Sequence, residues 1–172
     1  MRRGIVVSIL WVGLFLITPW TWADPVTSTH PRIYLTPNHL ALLKQRAALN
    51  TPEWNRFINA YNGARSARDY YLKAGAIPDS HLVPSLALAY QVTEDQAYAE
   101  AGIAALTKLL SQDLTPGGSF SKMGQLVDAM ITSAIGFDWF YDQLTSDEKR
   151  LIIKKINHYT AFEFQDTPYP WH

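Results

Sequence analysis

Cysteine is absent from the 172 residues. That excludes disulfide frameworks, Cys-ligated zinc, iron–sulfur clusters, thiol catalysis and anchoring as a lipoprotein. Charge of either sign in excess is also missing, since 15 Lys and Arg stand against 15 Asp and Glu. A protein that grips duplex nucleic acid needs a basic stripe to displace counterions from phosphates, so no nucleic-acid partner is expected. No convincing run alternates apolar and polar residues, which leaves strands without support. His30, His39, His81 and His158 show neither an i, i+4 pairing nor a His-Glu-x-x-His arrangement, so no metal is expected, and no other cofactor. Pro116-Gly117-Gly118-Ser119 lacks the Lys-Ser or Lys-Thr of a phosphate-cradling loop and precedes no strand. It reads as a flexible connection, and no nucleophile-elbow motif exists elsewhere.

What is present begins with an export signal. Arg2 and Arg3 precede an uncharged stretch from Gly4 to Ala23 whose apolar heart runs from Ile5 to Ile17. Thr21 and Ala23 place small residues for a peptidase that would leave Asp24 as the new first residue. An uncleaved anchor is the competing reading, because about 20 uncharged residues just span a bilayer. Pro19 and the small residues favour cleavage, with no membrane contact afterwards. The folded part is then periplasmic or secreted. Removing the first 23 of 172 residues leaves 149, with 13 basic against 15 acidic groups. That is room for one ordinary domain, 24–172.

This remainder reads as all-α. Thr36-Pro37 and Thr51-Pro52 each combine an N-cap hydroxyl with a proline at the first helical position, and predict helices to about Leu49 and Tyr61. Trp54, Phe57, Ile58 and Tyr61 make one apolar face of the second, and Gly63 with the polar residues after it frays its end. Two further pairs follow. His81–Tyr90 and Gln125–Leu144 are apolar nearly all round, whereas Glu94–Leu110 and Asp147–Phe164 are two-sided. In the last of these Leu151, Ile152, Ile156 and Tyr159 oppose Lys149, Lys154 and Lys155. The alternation predicts inner and outer helices, twice over.

Both inner-to-outer turns share chemistry. Thr93 with Gln96, and Thr145 with Glu148, each form a capping-box pattern. The units are offset by about 51 residues, from Tyr90 to Tyr141, a quasi-repeat that does not fit the roughly 34-residue tetratricopeptide period. Repeated antiparallel hairpins build an open solenoid or close into a toroid. Six helices are about three hairpins, and a closed toroid is expected to need five to seven. The chain is therefore expected to be the N-terminal piece of something longer, an incomplete (α/α) toroid with an exposed apolar rim.

Three stretches together resemble the start of the heparinase II/III-like polysaccharide lyases and related alginate-lyase-type proteins. They are His30-Pro31-Arg32-Ile33-Tyr34-Leu35-Thr36-Pro37 running into Leu40, Leu43 and Arg46; LALAYQVTEDQAYAEAGIAAL from Leu86 to Leu106; and IGFDWFYDQLTSDEKRLIIKKI from Ile135 to Ile156. The resemblance covers most of the mature chain. It implies a toroid followed by a β-sandwich, and cleavage of uronic-acid-containing polysaccharides by β-elimination. An acidic polysaccharide or oligosaccharide is the implied partner. Such chemistry removes the C5 proton and expels the oxygen at C4. Asn, His or Arg must neutralise the adjacent carboxylate, and a Tyr or His must act as base. In relatives an Asn-His pair follows the helix after the DWFYDQL-like turn, with the catalytic Tyr later still. Asn157-His158 lies inside the last helix and does not match by position. The catalytic set is expected beyond His172, and no catalytic residue is assigned. A non-catalytic exported helical-hairpin module that binds a glycan or a protein is the alternative.

Asp128, Asp138 and Asp142 fall within about 80° of one another on a helical wheel. They could line a cleft, but the plainer reading is preferred: Asp142 caps the turn, and the others pair with Lys or Arg of a neighbouring helix. Ala129, Thr132, Ser133 and Gly136 make a small-residue face for close helix packing. Trp139 and Tyr141 are assigned to the core. Tyr169, Trp171 and His172, in a proline-broken tail, are the candidate substrate-binding residues.

Overall fold

A computed structural model of the chain describes residues 29–73, 81–112 and 120–165, with side chains in the last span from 124 to 161. The leader assigned to 1–23, the 116–119 connection, and Tyr169, Trp171 and His172 lie outside the described residues. Among the described residues every element is helical, as expected of an all-α chain. None is long and apolar enough to cross a membrane.

Helices α1 (Pro37–Ala48) and α2 (Pro52–Tyr61) start at the two Thr-Pro pairs. Thr36 caps α1 by accepting from the His39 amide at 3.3 Å. Thr51 makes no such bond, and its hydroxyl is buried without a partner. A 3₁₀ turn, Ala64–Ser66, and the short α3 (Arg68–Leu72) follow where only fraying was expected. Both pack along α5 and α3 buries Tyr71 there. Five residues are too few to show a helical period, so tertiary burial of one ring, not pattern, marks this element.

Helices α4 (Leu82–Thr93) and α5 (Gln96–Leu110) form the most extensive pairing in the fold. Between them Glu94 takes a left-handed φ of 60°, and its amide bonds the Tyr90 carbonyl at 2.7 Å to end α4. Two expectations are corrected here. The Thr93/Gln96 capping box does not form: the Thr93 hydroxyl donates back to the Ala89 carbonyl at 2.7 Å, and Asp95 caps α5 by accepting from the Ala97 amide at 3.0 Å. A carboxylate already standing at the N-cap position displaces the hydroxyl two residues earlier.

The second correction concerns α5, which the two-sided pattern put on the outside. It buries nine of its fifteen residues, against five of twelve in α4. Its alanines and Gly102 carry little bulk, so α3, α4, α6 and α7 all pack against it. Gly102 lies so close to Phe140 that a β-carbon there would enter the ring.

Helix α6 (Phe120–Trp139) ends five residues before the expected Leu144. Phe140 and Leu144 are buried from a run of turns instead, so the apolar signal outlasts the helix. Its small-residue face packs closely as expected. A β-carbon on Gly136 would stand 2.9 Å from Leu106 Cδ2 and 3.0 Å from Val83 Cγ1. Before α7 (Ser146–Gln165) the second capping box is complete: the Thr145 amide donates to Glu148 Oε2 at 2.8 Å and the Glu148 amide to Thr145 Oγ1 at 3.2 Å. Ile152 and Tyr159 bury the inner face of α7, while Leu151 remains exposed.

Candidate functional site: a polar cleft beneath the lead-in

One carboxylate seats the lead-in on the end of α6. Asp138 is only 3% exposed. Its Oδ2 accepts from the amides of Arg32 at 2.5 Å and Ile33 at 2.7 Å, and its Oδ1 lies 2.5 Å from His30 Nδ1. The Arg32 guanidinium adds a longer contact at 3.8 Å. Burial of a carboxylate is tolerated only with such partners, and here every approach is a donor. Next door, the Trp139 indole N–H donates to the Ile33 carbonyl at 2.8 Å. The His30-Pro31 peptide bond is cis.

The proton position on His30 follows from its neighbours. Arg32 Nη2 stands 3.1 Å from His30 Nε2. A guanidinium has only donors, so Nε2 accepts, and Nδ1 carries the proton that it donates to Asp138. Both ring nitrogens are engaged. The imidazole also stacks on Tyr141, with centroids 3.8 Å apart and planes at 15°. Lys149 Nζ lies 3.7 Å from the same Tyr141 centroid. Two groups so near one centroid occupy opposite faces of the ring. Tyr141 is thus half-buried in a stack, not enclosed in the core as assigned, and neither face is open to a sugar.

A cleft of about 170 Å³ opens beside this clasp. Asp138, Trp139, Tyr141 and Asp142 line it from the end of α6 and the turn after it, Tyr90, Gln91 and Glu94 from the end of α4, Lys44 from α1 and His30 from the lead-in. Gln91 Nε2 donates to the Trp139 carbonyl and ties the two helix ends together. Across the opening Lys44 Nζ meets Glu94 Oε1 at 2.5 Å. The hydrogen bond from Lys44, and then its charge, hold the Glu94 carboxyl below the usual glutamate range, against a smaller opposing desolvation.

The three aspartates of the helical wheel are separated by this arrangement. Asp138 and Asp142 line the cleft, whereas Asp128 is exposed elsewhere on α6. Asp138 finds its partners in the lead-in, not on a neighbouring helix, which corrects that pairing. Trp139 is core, as assigned. Sequence reasoning missed Lys44, Tyr90, Gln91, Glu94 and the part played by His30. A signal was available, because each of the three resembling stretches contributes to this one cleft. Among the described residues no group of His, Asp or Glu side chains could hold a metal ion. No protein-family model matches the chain, and no curated protein matches it.

Proposed function

We propose that the chain is the N-terminal toroid segment of an exported polysaccharide lyase acting on uronic-acid-containing glycans by β-elimination. On this reading the chain holds glycan, and none of its described residues is assigned to proton transfer. The observation that carries the reading is the convergence of the three resembling stretches: His30, then Gln91 and Glu94, then Asp138, Tyr141 and Asp142 meet around one cleft although they lie far apart in sequence. Arrangement as an arc of antiparallel hairpins is part of the same proposal. It is supported by the packing of α4 on α5 and of α6 on α7.

One observation favours the alternative, a glycan-binding module without chemistry. The imidazole of the cleft has both nitrogens engaged, which suits an anchor better than a base. Two measurements on the purified chain without its leader test the glycan binding that both readings share. Retention in gels cast with alginate, heparin or chondroitin is expected, with no rise in ultraviolet absorbance from an unsaturated product. Absence of retention on every acidic polysaccharide overturns the proposal, and an absorbance rise overturns the claim of catalytic incompleteness. Reading the DNA after the codon for His172 tests the lyase half: Asn-His, a later Tyr and strand-rich sequence are expected, and an unrelated gene directly after a stop favours the module.

A further inference from the structure

We infer that the cleft is a subsite for a single carboxylate-bearing sugar unit, in which Lys44 takes the sugar carboxylate and Glu94 is an internal stand-in for it. This rests on the uronate reading above and names the contact within it. Among the described residues lining the cleft, Lys44 is the one with a permanent positive charge. Its bonded partner is a carboxylate that the rest of the fold does not hold in place: the Glu94 side chain is 74% exposed, and that of Lys44 is 40% exposed. Backbone conformation, a left-handed φ at the end of α4, brings Glu94 to the rim, so its side chain can swing away without disturbing the helix. An exposed ion pair is weak, and an incoming carboxylate replaces one anion by another on the same ammonium.

The other acids of the cleft act differently. Asp138 already accepts from three close donors of the lead-in, so its oxygens are committed there and not to a ligand. Asp142 is exposed at the edge and accepts hydrogen bonds, which suits sugar hydroxyls and opposes a second carboxylate. Size sets the stoichiometry. At about 170 Å³ the cleft is well under the roughly 300–1,000 Å³ of sites that enclose drug-sized ligands, so it takes one unit of a chain.

Calorimetric titration at low salt with a uronate disaccharide, its methyl ester and the matching neutral disaccharide tests this. The acid is expected to bind and the ester and neutral sugar to bind far more weakly. Lys44→Met is expected to weaken acid binding at least about tenfold, the scale of a lost charged hydrogen bond. Glu94→Gln, which removes the internal competitor, is expected to tighten it by up to about fivefold, the scale of an exposed ion pair. Weaker or unchanged binding in Glu94→Gln, or an ester that binds as well as the acid, overturns the subsite while leaving the polysaccharide reading intact. A chain retained by none of the acidic polysaccharides overturns both. Both variants lie at the surface, and circular dichroism of each is expected to match the parent.

Discussion

The carboxylate of Asp138, buried at the end of α6, lies 2.5 Å from Nδ1 of His30, 108 residues earlier in the chain. The same carboxylate caps the amides of Arg32 and Ile33, so one side chain fixes the position and direction of the whole lead-in. Removing it leaves two amides and an imidazole N–H without an acceptor. Asp138→Ala is therefore expected to cost on the order of 3 kcal/mol in urea unfolding. Asp138→Asn, which keeps one acceptor oxygen, is expected to cost less. A loss below about 0.5 kcal/mol in Asp138→Ala, the range of ordinary surface substitutions, would show that the clasp contributes nothing to the fold.

Glu94 titrates below its ordinary value of 4.5 because Lys44 bonds and neutralises it. A depressed folded pKa means that the contribution of the pair is complete above the unfolded value and is lost as pH falls through the folded one. Carboxyl carbon shifts followed by NMR should place the Glu94 midpoint below 4.5 and return it there in Lys44→Met. A midpoint at or above the ordinary value in the parent chain would contradict the ion pair.

Alkaline pH acts through two buried phenols. Burial raises Tyr71 and Tyr98 above 10.0; the neighbouring Tyr70 adds to the first, and at Tyr98 the lowering by Arg65 precedes a raising by Asp95. Raised folded values keep the protons on in the native state while the unfolded chain releases them. Stability is therefore full below about pH 10 and falls as pH rises further. Thermal melts from pH 8 upward should show this decline, and Tyr98→Phe should flatten part of it. An unchanged slope in that variant would remove Tyr98 from the account.

The two buried glycines should respond differently to an added methyl. Gly102→Ala drives a β-carbon into the fully buried Phe140 ring, which has no room to retreat. A loss of roughly 1–3 kcal/mol is expected, as for overpacked cores. Gly136→Ala meets methyl ends of Leu106 and Val83, and a helical alanine offsets up to about 1 kcal/mol. It should come out near neutral in denaturant melts. Equal costs for both would show that crowding at Phe140 is not what excludes a side chain from position 102.

Helix class was legible because Thr-Pro starts and apolar periods are local signals, and Thr36 and Thr145 do cap as their positions suggest. Layering was not. Apolar residues mark α4 plainly, yet α5 is buried more fully because its small residues admit neighbours, and no period records how many neighbours arrive. The cleft was half legible for a similar reason. Asp138 was noticed as an acid on an apolar helix, but its partners are backbone amides 105 and 106 residues away, which no side-chain pattern encodes. Lys44 and Glu94 each look like solvated surface charge until the fold brings them 2.5 Å apart.

Amide and indole NMR shifts of the chain without residues 1–23 during titration with a uronate oligosaccharide test the proposed glycan cleft most directly. Saturable shifts are expected at the Trp139 indole N–H, whose ring lines the cleft, together with the Gln91 side-chain amide and the Glu94 backbone amide. Shifts confined to other surfaces, or none at saturating oligosaccharide, would contradict it.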